Sequence, residues 1–186
     1  MKRIFDLLSA VSIILLLIPL LMVVAIAVRL TSNGSALYWS DRIGHGSSIF
    51  KMPKFRSMQI GTPTAAKHLL GNPQDYLTPI GSFLRRTSLD ELPQLWSILI
   101  GDMSFVGPRP ALFNQNDLIE LRTKCGIHLL LPGLTGWAQV NGRDELSIED
   151  KVALDVFYLK NQSLWFDIKI LWMTLIKVVR REGVSH

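Results

Sequence analysis

The chain has 186 residues, 48% of them hydrophobic, and a formal net charge of +5. That length suits one domain with a modest core, and a basic, apolar balance points to a membrane surface and away from nucleic acid. A single cysteine, Cys125, excludes an internal disulfide and a thiolate metal site.

The first element is membrane-directed. Leu7 to Val28 carries no charge, and as one helix it would be about 33 Å long against a hydrocarbon core of roughly 30 Å. The run is too long for a signal-peptide core. Pro19 lies near its centre and removes a backbone donor. Positive charge flanks both ends: Lys2 and Arg3 before; Arg29, Arg42, Lys51, Lys54 and Arg56 after. If positive residues stay cytoplasmic, both ends belong on one side. The sequence therefore favours a helix that enters, breaks at Pro19 and returns, over one that spans. On this reading residues 1–30 form the membrane segment and 31–186 a second, extramembrane domain.

The next segments are short. ALYWS has strand-like aromatic content, and SSIFKMPKFRSM reads as a basic strand with Lys54 and Arg56 on one face. Residues 61–79, with three prolines, read as a loop around a short helical patch. IGSFLRRTSL predicts a helix with Phe83 and Leu84 on its apolar face, and LPQLWSILIGDM a buried helix closed by Gly101. In VGPRP two prolines bracket Arg109, which gives a loop with one rigidly presented guanidinium. Asn114 to Lys124 is amphipathic and helical. WAQV reads as a short apolar strand, followed by an exposed Arg143. Ser147 caps a helix over IEDKVALDVFYLK, with Asp150 three residues on.

The last helix places Leu164, Ile168, Trp172, Leu175 and Val179 on one face and Lys169, Lys177 and Arg180 or Arg181 on the other. It either covers a core or lies in the membrane interface, and periodicity leaves both open. The total is an α+β, mostly α-helical fold. There is no βαβ alternation, dinucleotide fingerprint or phosphate-binding Gly-Lys loop.

The chemistry gathers at TSLDELPQLW. Ser88-x-x-Glu91 matches a capping box, but Pro93 would then lack a donor the helix needs. A helix starting at Asp90 avoids this and sets Asp90 at a positive helix end, which lowers its pKa and attracts phosphate. Arg85, Arg86, Arg109 and Arg143 supply guanidinium groups suited to phosphate. Two acids among cations fit Mg²⁺ held by carboxylate plus substrate phosphates, and an aspartate can attack phosphorus.

KFRSM, RRTSLDELPQLWSILIGDMSFVGPRP, PGLTGWAQVNGR and a tail pattern of Asp155, Tyr158, Asn161, Ser163 and Asp167 closely resemble the bacterial sugar transferase family, the small monotopic phosphoglycosyl transferases. The resemblance covers nearly the whole chain and is to the minimal catalytic form. It implies transfer of sugar 1-phosphate from a UDP-sugar to polyprenol phosphate, the undecaprenyl form, with release of UMP. This is the first membrane step of glycan assembly. It implies Asp90 as nucleophile and Mg²⁺ ligand, with Glu91 as its partner. Lys54, Arg85, Arg109 and Arg143 fall on phosphate-contacting positions, and Arg56 and Gln139 complete the expected substrate-binding set. The implied location is the bacterial inner membrane, with the catalytic domain on its cytoplasmic face, in contact with lipid; oligomerisation is left open. Two positions depart from the family: Ile18 replaces the Ser of a Ser-Pro helix break, and Leu131 replaces a basic residue before Pro132-Gly133.

Overall fold

The computed structural model describes residues 1–62, 73–142 and 146–180. Residues 63–72 of the expected loop over 61–79 and the expected site residue Arg143 lie outside them.

Helix α1 (Lys2–Thr31) is one element that continues through Pro19. It is long and apolar enough to cross a membrane, and little of its apolar surface is buried. Both of its ends pack on the same body. At the N-terminal end, Lys2 Nζ donates to Val106 O (3.0 Å), and it also pairs with the Asp167 carboxylate. Arg3 donates to the carbonyls of Ile98 (2.5 Å) and Leu99 (2.9 Å), and Asp6 is buried where it accepts from Ser104 Oγ at 2.8 Å. At the C-terminal end, Val24 and Val28 pack with Phe55 and Leu84. The middle is bare: Leu15, Leu16, Ile18, Leu20, Met22 and Val23 are exposed.

The body begins with an antiparallel hairpin, β1 (Leu37–Ile43) and β2 (Ile49–Phe55), in a register that sets Tyr38 opposite Lys54 and Arg42 opposite Phe50. Helix α2 (Gly81–Arg86) buries Leu84 but leaves Phe83 outside. A 3₁₀ segment, Leu89–Gln94, leads into α3 (Leu95–Ile100), which Gly101 closes at φ +99°. Strands β3 (Ser104–Val106) and β4 (Gly133–Thr135) pair in parallel. Gly107 and Gly133 permit this approach, since a Cβ on Gly133 would lie 2.1 Å from Gly107 N. Helix α4 (Asn116–Lys124) and α6 (Ile148–Lys160) pack together, and Ser147 caps α6 by accepting from Asp150 N at 3.0 Å, as its sequence predicts.

WAQV is not a strand. Residues Trp137–Val140 form one helical turn, α5. Trp137 stacks on Phe157 (5.8 Å) and tilts against Phe166 (5.0 Å), and Asn141 Nδ2 holds Trp137 O at 2.7 Å. These tertiary contacts override the strand propensity of the segment. Helix α7 (Leu164–Arg180) turns Asp167 and Ile170 into the core. Its apolar stripe faces outward: Leu164, Ile168, Trp172 and Leu175 are exposed, with Trp165 at 78% and Trp172 at 63%. That face does not cover the core. The architecture is a small, mostly helical α+β body with one long apolar helix.

Candidate active site

Lys54 comes from the end of β2, and Asp90 and Glu91 come from the 3₁₀ segment packed against that strand. The sequence reading put an α-helix start at Asp90; here the α-helix starts later, at Leu95. Pro93 lies inside the 3₁₀ segment that occupies these positions. Ser88 enters this turn with φ +55°, a left-handed conformation that is uncommon outside glycine, and makes no side-chain cap. The capping box does not form. Glu91 N donates to Ser88 O (3.2 Å), while the Glu91 side chain points to cations.

The two acids differ. Glu91 Oε1 accepts from Lys54 Nζ at 2.8 Å and from Arg109 Nη2 at 3.3 Å. Asp90 is 8% exposed, and among the described residues its carboxylate accepts no hydrogen bond. Burial pushes Asp90 up to about 6, with Glu91 acting in the same direction and Lys54, Arg85 and Arg109 opposing. The expectation of a lowered pKa is thus corrected: desolvation outweighs the positive surroundings. Burial also lowers Lys54, against the pull of Glu91.

Arg85 belongs to this cluster; its Nε donates to Ser57 Oγ at 3.1 Å and its charge acts on Asp90. Arg109 stands on the loop after β3 and reaches Glu91. Arg56 does not join them. It is buried at the C-terminal end of α1, where it donates to Ser32 O (2.9 Å), Ser32 Oγ (2.8 Å) and Asn33 O. Its carbonyl partners make it a tie between β2 and the membrane helix. Gln139 lies on α5 and donates to Leu134 O at 3.1 Å, with its Oε1 buried and unbonded. Among the described residues it makes no hydrogen bond to the acid pair.

Sequence reasoning missed Arg42. It extends from β1 to donate to Pro110 O at 3.2 Å, and burial together with Arg109 lowers it to about 10. Its field acts on Glu91 and Arg109. No motif marks it; the i, i+2 relation of Ser40 and Arg42 on one strand face was the available sign.

The tail pattern holds the scaffold. Asp155 pairs with Arg122, Tyr158 OH donates to Asp167 Oδ1 (2.7 Å), Asn161 ends α6, and Ser163 Oγ accepts from Phe166 N (3.2 Å) at the start of α7.

Fold and site define a protein with, among the described residues, one membrane-length helix on a small body that holds a buried carboxylate, Asp90, among basic side chains. The chain belongs to the bacterial sugar transferase family, whose sequence model matches residues 1–181. It is 41% identical to the UDP-glucose:undecaprenyl-phosphate glucose-1-phosphate transferase of Escherichia coli (strain K12), over 95% of this chain and 40% of that protein. It is 39% identical to the UDP-galactose-lipid carrier transferase of Erwinia amylovora, over 98% of this chain and 41% of that protein. The chain thus spans less than half the length of these two curated relatives. The uncharacterized sugar transferase EpsL of Bacillus subtilis (strain 168) is 39% identical over 100% of this chain and 91% of its own length.

Proposed function

We propose that the protein transfers sugar 1-phosphate from a UDP-sugar to polyprenol phosphate, the undecaprenyl form, and releases UMP. The observation that carries this reading is the unequal acid pair: Glu91 is braced by Lys54 and Arg109, while Asp90 is buried and open. The names of the Escherichia coli and Erwinia amylovora relatives support the reaction class.

In the proposed reaction, an Asp90 oxygen attacks the phosphorus that bears the sugar. The bond from that phosphorus to the bridging oxygen breaks, and UMP leaves with both electrons of that bond. A polyprenol phosphate oxygen then attacks the same phosphorus and frees the Asp90 carboxylate. Arg85, Arg109 and Lys54 offset the charge of the diphosphate, and Glu91 holds Lys54 and Arg109 in place for this. Arg143 belongs to the same proposed substrate set on the strength of the family resemblance.

Among the described residues no group of three or more His, Cys, Asp or Glu is gathered for a metal. An open Asp90 carboxylate beside a diphosphate nevertheless suits Mg²⁺, which takes one or two carboxylates together with substrate phosphates. Bound there, Mg²⁺ would neutralise phosphate charge, with Asp90 as its protein ligand.

We propose a monotopic arrangement on the cytoplasmic face of the bacterial inner membrane, with α1 re-entrant and α7 lying in the interface. The contacts of both ends of α1 with one body support this arrangement. The outward Trp165 and Trp172 suit the headgroup region.

The test is a screen of UDP-sugars with undecaprenyl phosphate, Mg²⁺ and the full chain in nanodiscs. UMP released with one or more UDP-sugars supports the reading. Release of inorganic phosphate alone would make the protein a lipid-phosphate phosphatase.

A further inference from the structure

The loop that carries Arg109 is held by its carbonyls. Pro108 and Pro110 have no N–H, so the loop has few backbone donors of its own. Four successive carbonyls each accept from elsewhere. Gly133 N donates to Pro108 O at 2.9 Å, Arg122 Nη1 to Arg109 O at 2.7 Å, Arg42 Nη1 to Pro110 O at 3.2 Å, and Ile43 N to Ala111 O at 2.9 Å. The donors come from β4, α4 and β1.

Arg122 is central to this frame. It is 9% exposed, on α4, and its Nε and Nη2 donate to one oxygen of Asp155 at 3.0 and 2.7 Å. Asp155 is buried on α6, and burial raises its pKa against the pull of Arg122. One guanidinium therefore spends two nitrogens on a buried carboxylate and aims the third at the backbone of Arg109. A lysine could not do both, because it lacks the planar fork.

We propose that Arg122 and Asp155 are positioning residues for Arg109: they fix the backbone of the loop so that its guanidinium meets Glu91 and a bound diphosphate. The diphosphate part rests on the transferase reading above. Asp155 thereby gains a role that its place in the tail pattern does not reveal. Arg42, on β1, braces the same loop at Pro110 O.

Two readouts on the full chain in nanodiscs keep this inference apart from the transferase reading. The first is hydrogen exchange in the unliganded protein at the amides of Gly133 and Ile43, which donate to the loop. The second is calorimetric Kd for UDP with Mg²⁺. Arg122→Lys and the paired change Arg122→Met with Asp155→Leu are compared with wild type. The paired change leaves no buried charge unpaired, so it guards against a variant that merely fails to fold. Exchange at both amides is expected to rise at least about tenfold, and UDP binding to weaken about tenfold. In an Arg109→Ala background the same changes should alter Kd less than twofold. Unchanged exchange, or an equal loss of UDP affinity in the Arg109→Ala background, would overturn the proposal. If wild type neither binds UDP nor releases UMP while exchange rises in the variants, the transferase reading falls and the bracing of Arg109 stands.

Discussion

Asp90 and Glu91 are neighbours in sequence and opposites in setting: Glu91 accepts from Lys54 at 2.8 Å and Arg109 at 3.3 Å, and Asp90, 8% exposed, accepts from no described residue. The 3₁₀ turn that holds both, with Pro93 inside it, points the two side chains differently. One acid organises cations and the other is buried without a described hydrogen-bond partner.

On the proposed role of Asp90 as nucleophile, its titration sets a pH dependence. Burial raises it to about 6. A nucleophile must be ionised, so UMP formation should fall about tenfold per pH unit below that value. Lys54 lowers Asp90 and Glu91 raises it, so Lys54→Met should move the acid limb up and Glu91→Gln should move it down. Stability runs the other way. The folded protein holds the Asp90 proton more tightly than the unfolded chain, so this group weakens the fold as pH rises from about 4 to about 6. Asp90→Asn should then stabilise the protein by on the order of 2 kcal/mol at pH 8 and by almost nothing at pH 4, read from thermal unfolding. An acid limb unmoved by either substitution would separate Asp90 from the titration.

The N-terminal end of α1 is fastened to the body by Asp6, which accepts from Ser104 Oγ at 2.8 Å and Phe105 N at 3.4 Å. Asp6→Ala leaves two buried donors without an acceptor and should cost about 1–3 kcal/mol in detergent or nanodiscs. A loss below about 0.5 kcal/mol would mean the attachment is held by Lys2 and Arg3 alone.

Side-selective labelling tests the fold of α1 in a bilayer. In a Cys125→Ser background, Ile4→Cys and Leu30→Cys place exposed thiols near the two ends of α1. A membrane-impermeant maleimide should modify both from the cytoplasmic side of vesicles and neither from the other. Labelling from opposite sides would establish a spanning helix.

The outward face of α7 predicts lipid contact. In single-tryptophan variants, Trp165 and Trp172 should be quenched by brominated lipid, whereas Trp137, packed on Phe157 and Phe166, should not. Equal quenching at all three positions would contradict the interfacial placement of α7.

The parts of this site that were legible in the sequence are those framed locally. Prolines around Arg109 fix a loop whatever the fold, and the order of Arg85, Asp90 and Glu91 places them within a few residues of one turn. Strand alternation put Lys54 and Arg56 on one face, and Lys54 entered the site only through the family resemblance; Arg56 departs because β2 ends at Phe55 and its guanidinium turns to the end of α1. The pair Arg122–Asp155 is separated by 33 positions, so no local pattern can join them. Burial is the other hidden quantity. The charges around Asp90 were readable, but the desolvation that reverses their effect depends on the packed body. WAQV failed for a related reason: its conformation is set by Phe157 and Phe166, residues distant in the chain.

The central claim, Asp90 as the nucleophile, is tested most directly by trapping. The full chain in nanodiscs is mixed with Mg²⁺ and a UDP-sugar labelled in the sugar-bearing phosphate, without polyprenol phosphate, then quenched and digested. The account predicts label on the peptide holding Asp90, its loss on adding undecaprenyl phosphate, and at least about a thousandfold less label in Asp90→Asn. Wild-type turnover by Asp90→Asn, or label that maps to another residue, would contradict it.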